Sequence, residues 1–236
     1  MSARRSLPDG GLRAMRPLAG LYMNRRWDVT TRGEFHVPET GPVIFASNHI
    51  GWLDGPMLIL RTPRPAHALV KAEAFEGRTG WLLRFTGQIP LHRERPDTAA
   101  LRTAAAALTA GQSVVIYPEG VRGAGDVEHV KDGVGWLALL SGAPVVPVAL
   151  FGTRTAGADA ESKPAQGAPI EIVYGEPLRI PRQDGPRSRA RIAEAAQQIH
   201  RHLQQHVADA AEHAPVPLPG PLPELLPTDP EETADV

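Results

Sequence analysis

In the stretch Asn48-His49-Ile50-Gly51-Trp52-Leu53-Asp54, an imidazole and a carboxylate stand five residues apart. Five residues of α-helix turn about 500°, so the two side chains do not share a helical face. A turn through Gly51 would bring them together instead. The carboxylate would then hold the imidazole in one tautomer and stabilise its protonated form, the base-and-orienter arrangement of general-base catalysis. Histidine suits such work because its ordinary pKa lies near ~6.5. Asp54 also has a plainer reading. Followed by Gly55-Pro56, it could cap a helix that carries proline in its first turn.

Three further blocks stand at strand ends or in loops. They are Gly87-Gln88-Ile89-Pro90-Leu91-His92-Arg93-Glu94-Arg95, Tyr117-Pro118-Glu119-Gly120-Val121-Arg122 and Ala143-Pro144-Val145-Val146-Pro147-Val148. Glycine lets a backbone approach a ligand, and arginine offers a two-pronged fork for phosphate. Surface ion pairing is the plainer role for Arg93 and Arg122. Other chemistries are excluded. The chain has no cysteine, hence no thiol nucleophile, disulfide scaffold or Cys-ligated metal. It has no Gly-x-Ser-x-Gly elbow, and Gly111-Gln112-Ser113 lacks the Gly-Lys-Ser/Thr end of a phosphate-binding loop. His202 and His206 are spaced i, i+4 but have only His200, on another face, as a neighbour, so no metal is expected.

The elements that must position these blocks are legible from apolar runs and breakers. Strands are expected at Val43–Ser47, Ala66–Lys71, Ser113–Tyr117, Val145–Leu150 and Ile170–Tyr174. Helices are expected at Gly55–Leu60, Gly80–Phe85, Thr98–Ala110, Val130–Ser141 and Arg187–Val207. This alternation predicts an α/β layered domain. The uncharged stretch Gly133–Thr153 is long enough to raise a membrane span, but it contains Gly142, Pro144 and Pro147 and reads as helix, turn and strand.

A net charge of −1 conceals a gradient. Residues 1–32 hold seven arginines against two acids, whereas residues 207–236 hold seven acids and no Lys or Arg. From Gly11 to Trp27, Leu12, Met15, Leu18, Leu21 and Tyr22 alternate with Arg13, Arg16, Arg25 and Arg26, with positions 15, 18 and 21/22 at helical spacing. Such a basic amphipathic helix, with Tyr22 and Trp27 at interfacial depth, can lie on an anionic membrane surface. Packing on the core with solvated arginines is the alternative. The basic segment has no recognisable nucleic-acid module, so no nucleic-acid partner is expected. No signal peptide is read, because the apolar stretch Pro17–Met23 is too short. The expected organisation is a basic amphipathic segment at 1–32, a domain at 33–210 and a disordered Pro-rich acidic tail at 211–236.

Taken together and in order, the four blocks resemble the motifs of the glycerolipid acyltransferases, and within that family those of the 1-acylglycerol-3-phosphate acyltransferases. Asn48, His49 and Asp54 match an Asn-His-x4-Asp motif. Gly87, Ile89 and Arg93 match Gly-x-Ile-x-x-x-Arg. Tyr117, Pro118, Glu119, Gly120 and Arg122 match aromatic-Pro-Glu-Gly-Thr-Arg-Ser, and Val146-Pro147-Val148 match the fourth motif. Ala68-Leu69-Val70-Lys71-Ala72-Glu73 resembles the family's lysine-containing strand. The resemblance spans about residues 30–180. Gly51, Val121 and Gly123 depart from it, each replacing a hydroxyl residue, which bears on the acceptor more than on the chemistry.

The resemblance implies a glycerol-3-phosphate acyltransferase-like fold, a single layered domain with a mixed, mostly parallel sheet flanked by helices. It also implies that His49, poised by Asp54, takes the proton of an acceptor hydroxyl that attacks a fatty-acyl thioester of CoA or acyl carrier protein. Lys71, Arg93 and Arg122 would anchor the acceptor phosphate. Gly120 would allow close approach, and Glu119 would order the arginine-bearing loop or the bound glycerol. No cofactor is expected beyond the acyl-CoA or acyl carrier protein co-substrate. The implied function is conversion of 1-acylglycerol-3-phosphate to phosphatidic acid in phospholipid biosynthesis, by a cytoplasmic enzyme peripheral on the inner face of the plasma membrane. The alternatives are acylation of another lysophospholipid or a glycolipid headgroup, and a non-catalytic lipid-binding protein of the same fold.

Overall fold

The computed structural model describes residues 6–92 and 97–223. Short parallel strands of mostly β-branched residues, buried on both faces, build its centre, as expected where helices cover a sheet on both sides. The strands are β1 (Asp28–Arg32), β2 (Val43–Ser47), β3 (Ala66–Lys71), β4 (Ile89–Leu91), β5 (Ser113–Ile116), β6 (Val145–Phe151) and β7 (Pro169–Tyr174). They form one sheet in the order β1-β7-β6-β2-β5-β3-β4. The run from β6 to β4 is parallel, β7 is antiparallel to β6, and β1 is parallel to β7. The mixed, mostly parallel sheet anticipated from the resemblance is therefore present.

Alternation along each strand divides the core in two. Ile44, Ala46, Val114 and Ile116 pack on one face with α4 (Thr98–Thr109), α5 (Gly133–Ser141) and α6 (Arg189–Ala211). Val43, Phe45, Val115, Val146 and Val148 pack on the other with α1 (Gly10–Arg26) and α2 (Asp54–Arg61). In α6, Ile199, Leu203 and Val207 repeat every four residues and are buried. Each contributes on the order of 1.5–3 kcal/mol of hydrophobic burial. Asp97 caps α4 by accepting from the main-chain N–H groups of Ala99 and Ala100, and Ser188 caps α6. α5 begins at Gly133 rather than Val130, and just before it the Lys131 N–H is bonded back to the Pro118 carbonyl at 2.9 Å. The 133–153 stretch is helix, turn and strand, as read. Among the described residues no helix is long and apolar enough to cross a membrane.

Both ends of the described stretch are tied into the domain more closely than expected. β1 pairs along its whole length with β7, and α1 buries Leu12 and Met23 in the core. Trp27 is buried too, its indole N–H donating to the Pro164 carbonyl at 3.2 Å, so it does not sit at an interface. The reason is local, since the chain turns at Trp27 straight into β1. Arg13 pairs with Asp9, Arg16 donates to the Thr62 carbonyl, and Arg32 pairs with Glu171, which leaves less solvated charge than the sequence suggests. Alongside the exposed Arg13, Asn24 and Arg25, α1 exposes large apolar side chains: Leu18 at 74%, Leu21 at 68% and Tyr22 at 64%. Trp81 and Phe85 of α3 (Gly80–Phe85) are exposed as well, and the Phe85 ring abuts α1 at Gly11.

At the other end, residues 212–223 are ordered against the domain, contrary to the expectation for 211–236. Leu222 is buried, Leu218 packs on the core, and the Gly220 carbonyl accepts from Arg154 at 2.6 Å. The Gly220 carbonyl is one of the acceptors that satisfy this buried guanidinium, and the bond holds the proline-rich segment in place, a force that composition does not reveal. The rest of the expected tail lies outside the described residues.

Candidate active site

β2 and β5 are parallel neighbours with Ala46 opposite Ile116. His49 and Glu119 each lie three residues beyond that pair, so the register alone sets the first and third blocks side by side. This edge, beyond the carboxyl ends of the strands, is where ligands bind in open α/β sheets. The Glu119 Oε1 accepts the His49 main-chain N–H at 3.1 Å, and the Gly123 N–H donates to the His49 carbonyl at 2.9 Å. β6 flanks β2 on the other side. The Asn48 side-chain amide continues that pairing, accepting from the Leu150 N–H at 2.8 Å and donating to its carbonyl at 3.1 Å.

Between these anchors the chain turns through Ile50 and Gly51, and His49 meets Asp54. The His49 Nδ1 to Asp54 Oδ2 distance is 2.7 Å. Asp54 does not cap α2. As the first residue of that helix, it turns its carboxylate back toward the loop. There Oδ2 also accepts the N–H groups of Ile50 at 2.7 Å and Gly51 at 2.9 Å, and Oδ1 accepts the Thr153 hydroxyl. Asp54 and Thr153 are fully buried, so this carboxylate is held by hydrogen bonds rather than by water. A Cβ at Gly51 would lie 3.0 Å from the Thr153 carbonyl oxygen, so a side chain there would require that segment to give by a few tenths of an ångström.

The imidazole is fixed on its other side by the Tyr117 ring, stacked at a centroid distance of 4.1 Å and an interplanar angle of 20°. With Nδ1 facing the carboxylate, that nitrogen carries the proton and Nε2 keeps its lone pair. Burial pushes the Glu119 carboxyl up to about 7, helped by the charges of Asp126 and Asp54 and opposed by the His49 N–H. Burial, with Asp54 nearby, also drives the Tyr117 hydroxyl well above its usual range.

A residue beyond all four blocks completes the frame. Arg154 is buried, and its guanidinium donates to the carbonyls of Ile50 at 2.7 Å, Ala158 at 2.9 Å, Gly123 at 3.0 Å and Gly220. It thus clamps the His49 loop to the loop that follows Glu119. Neither Thr153 nor Arg154 belongs to a spacing that marks chemistry. The nearest signal is their position just after the strand of the fourth block.

The expected phosphate anchors fare unevenly. Gly120, at φ 73°, makes the turn beside Glu119. Arg122 donates to the Ala160 carbonyl and to the Glu161 carboxylate, so its fork is engaged by the 152–168 loop. Lys71 ends β3 on the same sheet edge, more than half exposed and 3.5 Å from Glu73. Arg93 lies outside the described residues. The His202 and His206 Nε2 atoms meet the main-chain carbonyls of Glu176 and Val173. Both histidines line a cleft of about 510 Å³ with Arg32 and His36, which includes none of the residues around His49.

A family model described as Acyltransferase matches residues 28–151, just over half of the chain. The chain belongs to the acyltransferase family. A 1-acyl-sn-glycerol-3-phosphate acyltransferase of Streptococcus pneumoniae is 27% identical to it over 146 residues, 58% of this chain and 54% of that protein. The chloroplastic 1-acyl-sn-glycerol-3-phosphate acyltransferase BAT2 of Brassica napus is 30% identical over 123 residues, 48% of this chain and 33% of that protein. The matched stretch is thus between about a third and just over half of each curated relative. Among solved structures, the 1-acyl-sn-glycerophosphate acyltransferase PlsC from Thermotoga maritima aligns with TM-score 0.63 at 22% identity, over 84% of this chain and 79% of that one. That alignment supports the acyltransferase fold described above.

Proposed function

We propose that this acyltransferase moves a fatty-acyl group from an acyl-CoA or acyl carrier protein thioester to the free hydroxyl of 1-acylglycerol-3-phosphate, giving phosphatidic acid. The observation that carries the reading is the 2.7 Å His49–Asp54 contact on a carboxylate whose other lone pairs are filled by Ile50, Gly51 and Thr153. Held in this way, Nε2 is the basic nitrogen. The acceptor O–H gives its proton to Nε2 as the oxygen bonds to the thioester carbonyl carbon. The tetrahedral intermediate collapses by breaking the C–S bond, and the leaving thiolate takes the proton from Nε2. Transfer is direct, and no acyl-enzyme forms.

The acceptor is a membrane lipid, and the exposed Leu18, Leu21 and Tyr22 of α1 suit the interfacial region of an anionic bilayer. This reading places the protein on the cytoplasmic face of the plasma membrane as a peripheral enzyme. A second acceptor class, another lysophospholipid or a glycolipid headgroup, is favoured by one observation. Arg122 is engaged by Glu161, and its neighbour Val121 presents an exposed apolar side chain where the family has a hydroxyl. CoA release from oleoyl-CoA by purified protein, measured across a panel of lysophosphatidic acid, lysophosphatidylcholine, lysophosphatidylglycerol and glycolipids, separates the two. Lysophosphatidic acid is expected to be the preferred acceptor, and His49→Ala to lower turnover by about 10²–10⁴-fold. Lipid binding without turnover would sink the enzymatic reading.

A further inference from the structure

One cation at this site is absent from every motif considered above. Lys131, among only three lysines of the chain, precedes α5 and is pinned to the third block by its N–H bond to the Pro118 carbonyl at 2.9 Å. Its side chain lies across the Glu119-Gly120 turn. A Cβ on Gly120 would fall 2.6 Å from Lys131 Nζ, 2.7 Å from Cε and 2.8 Å from Cδ. The glycine therefore leaves the space that this lysine crosses. One residue earlier, the Glu119 carboxylate holds the His49 main chain, so the ammonium stands next to the reacting edge of the sheet.

Charge bookkeeping singles out Lys131. Arg122 is matched by Glu161 and Lys71 by Glu73, whereas among the described residues no carboxylate pairs with Lys131. Lys131 is exposed, so its charge is open to a ligand arriving from solvent or membrane. A compact ammonium, laid over a glycine turn and with no carboxylate partner among the described residues, is suited to an incoming phosphate dianion.

We infer that Lys131 binds a phosphate group of a substrate at the Gly120 turn, an assignment that rests on the acyl-transfer reading. Two groups share this chemistry, the phosphomonoester of the acceptor and the phosphates of CoA.

Steady-state kinetics of the full chain distinguish them. Lys131→Met is expected to raise one KM by about tenfold to a hundredfold, the worth of one charge-assisted hydrogen bond, with kcat within about threefold. Lys131→Arg is expected to recover most of the loss. A rise in the lysophosphatidic acid KM, with that of monoacylglycerol unchanged, assigns the acceptor. A rise in the acyl-CoA KM, with that of acyl-pantetheine unchanged, assigns the nucleotide. Both KM values unchanged would overturn the inference.

A second measurement needs no turnover. Acetic anhydride labelling of Lys131, read by mass spectrometry, is expected to fall in the presence of glycerol 3-phosphate or CoA but not glycerol. Equal labelling in all conditions would likewise overturn it. If no acceptor is acylated by the wild-type chain, the acyl-transfer reading fails, and this labelling alone decides whether Lys131 holds phosphate.

Discussion

Glu119→Gln tests the electrostatics of the site through stability. The Glu119 carboxyl is buried, faces Asp54 and Asp126, and is pushed up to about 7 from the usual ~4.3. Between those values the folded chain holds a proton that the unfolded chain has released. Stability conferred by this group is therefore fully present below about pH 4.3 and is lost as pH rises through about 7. At ~1.36 kcal/mol per pH unit, the whole effect is about 3.5 kcal/mol, of which somewhat over ~2 kcal/mol develops between pH 5 and 7.5. Glutamine keeps an oxygen that can accept the His49 N–H but cannot ionise. Urea unfolding of both proteins at pH 5, 6, 7 and 7.5 reads the difference directly. The variant is expected to gain about 2 kcal/mol on the wild type across that range, whatever constant offset its amide introduces. A difference that stays flat with pH would refute the argument that burial and neighbouring carboxylates control Glu119.

Three other outcomes follow from the geometry. Thr153→Val leaves one oxygen of the buried Asp54 without its donor; a loss of about 1–3 kcal/mol in unfolding free energy is expected, with kcat falling more than KM rises. Glu161→Gln frees the Arg122 fork from an exposed partner, and the acceptor KM is expected to drop about twofold to fivefold, the scale of a surface ion pair; an unchanged or higher KM counts against Arg122 as a phosphate anchor. Replacing both Leu18 and Leu21 by Asp is expected to move the protein from the pellet to the supernatant of a sedimentation assay with anionic vesicles while Tm holds, since both side chains face solvent. Substitution is a cleaner test than deleting α1, which would also strip Leu12 and Met23 from the core.

What the sequence disclosed was what is local. β2 and α3 fall on the expected residues, because an apolar run or a helical pattern bounded by breakers carries its own boundaries. β1 and β4 were not anticipated. The first, Asp28–Arg32, is half exposed at a sheet edge, and the second is three residues with Pro90 in the middle, tolerated because it too is an edge strand. The same divide runs through the site. His49 and Asp54 were legible because one short turn joins them. Thr153, Arg154 and Lys131 were not, because they reach the turn from β6 and from the segment before α5, through pairings no short window contains. The C-terminal proline-rich stretch misled for a related reason. Its composition argues against a core of its own, yet it needs only Leu218, Leu222 and one carbonyl bonded to Arg154 to be held by another.

The arginine clamp bears on how far this protein can vary. Loops and chain ends are ordinarily where length changes do least harm. Here the loop after β6 and the segment after α6 both close on one buried guanidinium, which also grips Ile50, the residue next to His49. An insertion in either would be felt at His49 although it lay far from it in sequence. The region matched by the family model ends at residue 151, three positions short of Arg154. The stretch that the family model matches is thus shorter than the stretch that must fold together, and a fragment cut at that boundary would carry the motifs without the tie that aligns them.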